Sequence, residues 1–169
     1  MNIRRVNRND AAQLVGLFES LDHETSFMLF EPGERQLTVE AQSELLPGFI
    51  DHAHQAMFIA EDDSQKIAGF VVGIGGKMNR NRHALYLVIG VRQAYQGHGL
   101  GRRLLSALEQ WAIAQQFHRL ELTVMAHNQV ARKLYLSAGF QEEGVKRDAL
   151  KVDGQFVDEV YMAKFLNQE

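Results

Sequence analysis

A chain of 169 residues falls inside the roughly 100–200 residues typical of one domain and is long enough to bury a core of its own. Hydrophobic residues make up 46% and charged residues 23%, and 18 Lys+Arg against 21 Asp+Glu leave a net charge of −3. A chain this close to neutral has no general pull toward phosphate backbones, which argues against nucleic acid as a partner. With no cysteine, disulfides, thiolate metal sites and a thiol nucleophile are excluded. The N-terminal MNIRRVNRNDAAQL is basic but lacks the apolar stretch of a secretory signal. The longest apolar run, Ile67 to Gly76, is half of the roughly 20 residues a bilayer crossing needs. Composition therefore predicts one soluble, cytoplasmic domain over 1–169 with no membrane partner.

Ile3-Arg4-Arg5-Val6 predicts a first strand. A helix follows from about Asn9 to Leu21, with Leu14, Leu17, Phe18 and Leu21 at helical spacing and Asn7 as its cap. Asp22 to Leu37, which contains Glu31-Pro32-Gly33, is irregular, and a second helix is expected from Thr38 to about His54. Met57 to Ala60 predicts a short strand before a polar turn at Glu61 to Gln65. Ile67 to Ile74 is apolar at nearly every position, as suits a strand covered on both faces. The polar loop Lys77 to Arg82 then leads to a strand over Ala84 to Val91, antiparallel to the one before it. Leu100, Leu104, Leu108 and Trp111 form one stripe of a helix ending near Gln116. Leu120, Leu122 and Val124 alternate with Glu121, Thr123 and Met125 in strand fashion. Asn128 can cap a helix through Ser137, with Gly139 where a left-handed residue ends it. Asp153-Gly154 joins Val145–Val152 to Gln155–Phe165 in a tight hairpin. The order β-α-α-β-β-β-α-β-α-β-β describes an α/β (mixed α+β) fold: a central mixed, mostly antiparallel sheet flanked by helices.

The most informative segment runs from Val91 to Arg102, between a strand and the most amphipathic helix. Gly97, Gly99 and Gly101 alternate, so one side of the turn carries no Cβ and backbone N–H groups can approach a ligand closely. The first N–H groups of the helix lack intrahelical partners, and its dipole adds about half a positive charge there, so an anion such as a pyrophosphate fits. Known phosphate loops fail here. Gly101 is followed by Arg102-Arg103 where a Walker A loop needs Lys-Ser/Thr, and Arg102 stands where the dinucleotide fingerprint needs its third glycine. An unliganded flexible turn is the other reading of these glycines.

On these residues the chain resembles the GNAT superfamily of N-acetyltransferases. Gln96-x-x-Gly99-x-Gly101 looks like its acyl-CoA signature, and Asn128-x-x-Ala131-x-x-x-Tyr135-x-x-x-Gly139-Phe140 is similar to its second cofactor-contacting region. The closing stretch from Glu143-Gly144 through Asp153-Gly154 to Met162 resembles the final hairpin of many members, so the likeness spans about Ala84 to Lys164. One departure is Gln93, at a position where many members carry proline.

The resemblance implies a GNAT-like fold with acetyl-CoA as cosubstrate and no metal. It places the pyrophosphate against the backbone of Gln96, Gly97, His98, Gly99, Gly101 and Arg102. The pantetheine arm would lie as a pseudo-strand between the strand ending at Val91 and the strand Leu120–Met125, which splay apart. A backbone N–H near Ile89 or Val91 would polarise the thioester carbonyl, since the oxyanion of acyl transfer needs a fixed donor and a bulged strand frees one. Asn128 and Tyr135 would flank the thioester. The acceptor would be a primary amine of a small molecule, or an N-terminal or lysine amine of a peptide or protein. In the family it is held by the N-terminal helices with their connection, here Asp22 to Leu37, and by the last hairpin. A homodimer is among the assemblies the resemblance allows.

Tyr135 has a chemical reason to be catalytic: a phenol of pKa near 10 can protonate a departing thiolate, whose basicity is close to that of free cysteine at about 8.5. The alternative is a packed helix tyrosine. Asn128 bonds pantetheine, caps its helix, or does both. His98 reads as a surface side chain whose N–H matters, and Arg102 and Arg103 either reach phosphates or stay solvated. For a general base Glu121, His83 and Tyr86 are candidates beside a mechanism with no dedicated base. His52 and His54 do not share a helix face, His23-Glu24 lacks zinc-protease spacing, and no serine has the Gly-x-Ser-x-Gly setting. Direct attack of an amine on acetyl-CoA suits the missing nucleophiles. A non-catalytic acyl-CoA-binding module is the competing reading, and a kinase-like nucleotide-binding domain lacks the carboxylate set it would need near the loop.

Overall fold

The computed structural model describes residues 1–166. Its elements follow the predicted order: β1 (Asn2–Arg5), α1 (Ala11–Glu24), α2 (Val39–Leu45), β2 (Gln55–Glu61), β3 (Ile67–Gly75), β4 (Ala84–Val91), α3 (Leu100–Ala114), β5 (Arg119–Met125), α4 (Gln129–Ser137), β6 (Gln141–Val152) and β7 (Gln155–Phe165). The strands form one sheet in the order β1-β2-β3-β4-β5-β7-β6. Every neighbouring pair is antiparallel except β4 beside β5.

Two apolar layers hold helices to the sheet. On one face Leu14, Leu17, Phe18 and Leu21 of α1 pack with Leu46 against Met57, Ile59, Ile67 and Phe70. On the other, Leu100, Leu104, Leu105 and Leu108 of α3, with Tyr135 of α4, pack against Ala56, Val71, Leu85, Leu87, Leu120, Leu122 and Met162. β3 lies between the two layers, which is why Ile67 to Ile74 is apolar nearly throughout. Its parity changes once, at a bulge where Ala60 pairs with Gly69 but Glu61 pairs with Ile67. The Asp153-Gly154 turn has both residues at positive φ, 50° and 79°, the twist that matches a two-residue hairpin.

Three expectations need correction. The second helix ends at Leu45 rather than near His54, giving way to a 3-10 turn over Leu46–Phe49. Pro47 lacks the N–H that would continue the α-helix, and its ring clashes with the carbonyl four residues earlier. The first helix begins two residues late and runs three residues further, to Glu24. Asn7 instead caps a preceding 3-10 turn, its side chain accepting the Asn9 N–H while Asp10 accepts the Asn7 N–H at 2.7 Å. Finally, β4 carries no bulge: it pairs with β3 in unbroken register from Gly69↔Val91 to Gly75↔Leu85.

Candidate active site

Free backbone donors arise in β4 by another route. The Arg92 N–H donates to Ala68 O at 2.9 Å, and Ala84 O accepts the Gly76 N–H at 3.0 Å. In an antiparallel ladder both backbone groups of a residue face one neighbour, and the side alternates along the strand. Even-numbered residues of β4 therefore face β3, while Leu85, Leu87, Ile89 and Val91 face β5. Pairing with β5 runs only from Ala84↔Arg119 to Tyr86↔Glu121. Past that point the two strands part, and the N–H groups of Ile89 and Val91 are directed into the gap. Splaying of the parallel pair does what a bulge was expected to do.

The gap leads to the glycine loop. After one 3-10 turn over Gln93–Tyr95, Gly97 and Gly99 both take left-handed conformations, at φ 82° and 75°, and Gly99 is the N-terminal cap of α3. A Cβ on either would meet no protein atom within 4 Å. Positive φ favours glycine there, and the unfilled side is open over the N-terminus of α3. Gly101 differs: its Cβ would point at Leu134 Cδ2, 3.1 Å away, so this glycine lets α3 and α4 approach each other. The loop is anchored before any ligand binds. Gln96 Nε2 donates to Val91 O at 3.0 Å, and Tyr95 OH donates to Asp62 Oδ2 at 2.8 Å. The His98 side chain is exposed. Of the two arginines, Arg102 turns its guanidinium to Ser137 Oγ and Arg103 to Met1 O, so both side chains have protein partners.

Tyr135 lies on the α3/α4 side, 7% exposed, with its ring 5.8 Å from that of Phe140. Burial pushes its phenol well above the usual 10, and Tyr86 adds to the effect. The hydroxyl therefore keeps its proton across the physiological range, which suits a donor and not a base. Proton transfer to a thiolate is correspondingly more uphill than an unperturbed phenol implies, by about 1.4 kcal/mol per unit of pKa. Asn128 Oδ1 accepts the Ala131 N–H at 3.2 Å, so the cap is made and only its NH₂ is left to meet a ligand.

On the opposite face the sheet beyond β3 is open. Tyr86, Arg119, Glu121, Thr123, Glu143 and Tyr161 line a pocket of about 380 Å³ at the vertex of the gap. Arg119 donates from Nε to Glu121 at 2.8 Å and from Nη1 to Glu143 at 2.9 Å, while Tyr86 OH lies 3.1 Å from Thr123 Oγ1. Arg119 holds the Glu143 carboxyl below its usual range. Two carboxylates against one guanidinium leave the pocket one negative charge. Of the candidate bases, Tyr86 and Glu121 stand here. His83 does not: it precedes β4 at the paired end, with its ring 6.1 Å from His118. Thr123, Tyr161 and Glu143 were not singled out from sequence. The alternation of Arg119, Glu121 and Thr123 was a legible signal, but the pairing of Tyr161 with Thr123 depends on which strand β7 joins.

The acetyltransferase (GNAT) family model matches residues 17–140. The uncharacterised N-acetyltransferase YycN of Bacillus subtilis (strain 168) is 31% identical over 109 residues, covering 64% of this chain and 70% of that protein. An acetyltransferase of the GNAT family from Streptococcus pneumoniae superposes with a TM-score of 0.93 at 32% identity, over 98% of this chain and 99% of that one. YncA of Salmonella typhimurium, solved with its cofactor acetyl-CoA, shares the fold at a TM-score of 0.88 and 19% identity, over 100% and 95% of the two chains. The matched stretch spans about half the length of three further curated relatives. The chain belongs to the acetyltransferase (GNAT) family, and its class is acetyl-CoA-dependent N-acetyltransferase.

Proposed function

We propose that this chain moves an acetyl group from acetyl-CoA to a primary amine, of a small molecule or a peptide, by direct attack. The observation that carries this reading is the end of the β4–β5 ladder at Tyr86–Glu121, which opens a gap between the glycine loop and a pocket of net negative charge. Bound acetyl-CoA supplies the thioester whose carbonyl carbon the amine attacks. Backbone N–H groups from Gly97 to Arg102 receive its pyrophosphate at the positive end of α3, whereas the expected Gln96 N–H is already held by Gln93 O at 3.2 Å. The N–H groups of Ile89 and Val91 polarise the carbonyl, and a donor fixed in advance needs no reorganisation as charge develops. Asn128 turns its NH₂ toward the pantetheine arm. Tyr135 donates its hydroxyl proton toward the departing sulfur. The amine enters over Tyr86, Thr123 and Tyr161, drawn as an ammonium by the Glu121–Arg119–Glu143 cluster. It loses its proton to solvent, because Tyr86 at 40% exposure leaves the pocket open to water.

Thermal shift with acetyl-CoA and with ATP at matched concentration tests the reading. Binding to the native state alone adds RT ln(1 + [L]/Kd) to stability, about 2.7 kcal/mol at 100 Kd. ATP has phosphates but no pantetheine arm and is expected to stabilise far less, whereas an equal shift would overturn the assignment. Stabilisation by acetyl-CoA without CoA release to any amine would make the chain a binding module.

A further inference from the structure

Gln93 replaces the proline many family members carry, and its backbone makes a bond that proline cannot. The Gln93 N–H donates to Glu24 Oε2 at 2.8 Å. Glu24 Oε1 lies 3.6 Å from Arg92 Nε, a buried nitrogen without a hydrogen-bond partner. One carboxylate thus grips two successive residues at the root of the glycine loop. Glu24 is also the last residue of α1, where the connection to α2 begins. That connection is tied at the same point: Arg35 donates from Nε and Nη2 to Asp22, both at 3.0 Å, with its guanidinium stacked over Phe18 and Phe30. Its Phe27 ring sits 5.0 Å from His127, next to Asn128.

We propose that Glu24 is a positioning residue that latches the cofactor loop to the α1–α2 connection, so that acetyl-CoA bound at the loop orders residues 25–37 for the acceptor. This rests on the acetyl-CoA reading above. The latch has the geometry of a charge-assisted hydrogen bond, the stronger kind. It is also removable without breaking the loop. Arg92 already has φ −58° and ψ 142°, the conformation that precedes proline, and residue 93 opens a helical turn, where an N–H is dispensable. Gln93→Pro therefore deletes the bond and keeps the fold, while Glu24→Ala deletes it from the other side.

The test measures the acetyl-CoA dissociation constant by calorimetry for the wild type, Glu24→Ala, Gln93→Pro and the double variant, with melting temperature as the check on folding. Hydrogen exchange of the 25–37 amides is followed with and without acetyl-CoA. Gln93→Pro is expected to weaken binding about tenfold, Glu24→Ala at least as much because it also removes the contact with Arg92, and the double variant no further than Glu24→Ala, because the Gln93 bond is already gone there. Acetyl-CoA is expected to slow exchange over 25–37 in the wild type and to leave it unchanged in Glu24→Ala. A merely structural glutamate would shift melting temperature without altering that ligand response. Wild-type affinity in Gln93→Pro, or a double variant whose losses multiply, would overturn the latch while leaving the acetyl-CoA reading intact. A wild type that does not bind acetyl-CoA would overturn both.

Discussion

Gly99 and Gly101 occupy alternate positions of one motif, yet the structure assigns them different work, and alanine separates the two roles. At position 99 the backbone is left-handed, with φ 75° and ψ 12°, and an added Cβ would meet no protein atom within 4 Å. The cost of Gly99→Ala to the free protein is therefore conformational only, about 1–2 kcal/mol for an L-residue held left-handed. With about 2–4 °C per kcal/mol for a chain of this size, the melting temperature should fall by about 2–8 °C and the fold should survive. The methyl group occupies the open side over the α3 N-terminus, so acetyl-CoA affinity should fall at least about tenfold, or about 1.4 kcal/mol. At position 101 the backbone is helical and the Cβ points at Leu134 Cδ2, 3.1 Å away, on the side away from the cradle. Alanine gains about 1 kcal/mol of helix propensity, offset by that tight contact, so Gly101→Ala should change stability little and leave affinity within about threefold. Calorimetry for binding and scanning fluorimetry for stability read both quantities. Equal loss of affinity in the two variants, or full affinity in Gly99→Ala, would refute this division of labour.

Tyr135→Phe keeps the packing against Phe140 and should leave acetyl-CoA affinity unchanged while kcat falls about 10²–10⁴-fold, with a smaller defect for a thioester of more acidic thiol. Comparing kcat for two acyl thioesters decides between a proton donor and a packing residue. Because burial raises the Tyr135 pKa above 10, the folded chain holds a proton that the unfolded chain releases above pH 10. This contribution is thus fully present below pH 10 and declines above it by up to about 1.4 kcal/mol per pH unit, so urea titrations should show a steeper loss above pH 10 in the wild type than in Tyr135→Phe, where Tyr95, raised by its bond to Asp62, still contributes. Asp10 is buried and bonded twice to Arg4, at 2.8 and 2.9 Å. Burial acts to raise its pKa, but Arg4 and the Asn7 N–H outweigh it and hold it low, so its stabilisation is present at neutral pH and lost as the medium is acidified below the usual carboxylate range. Asp10→Ala should cost about 3 kcal/mol, the lower end for a broken buried pair because Arg4 keeps Glu61 at 3.0 Å, and thermal melting reads it.

The element order was legible because the periodic signals were strong: alternation in β5, a single stripe along α3, and Asp153-Gly154 at the hairpin. The second helix, expected to about His54, stops at Leu45 because Pro47 ends it. That stop signal is visible in the sequence. For the site, the glycine loop could be picked out from local chemistry, and Tyr135 from a spacing that resembles the family's second cofactor-contacting region. The source of the free β4 donors could not, since it depends on where β5 leaves β4, a fact of tertiary pairing. The same is true of the pocket proposed for the acceptor, whose Tyr161 and Glu143 come from strands distant in sequence. From sequence Gln93 is only a departure from proline, and the bond its N–H makes to Glu24, some seventy residues earlier, is visible only in the fold.

The central claim is that the gap between β4 and β5 brings a bound thioester to an amine. The measurement that tests it most directly is CoA thiol release from acetyl-CoA by the wild-type chain across a panel of amino acids, polyamines, aminoglycosides and peptide N-termini, with Tyr135→Phe in parallel. The account predicts amine-dependent release for at least one class, with matching N-acetylated product by mass spectrometry and a rate at least about a hundredfold lower in the variant. Release at the same rate in Tyr135→Phe, or release that does not depend on any amine, would contradict it.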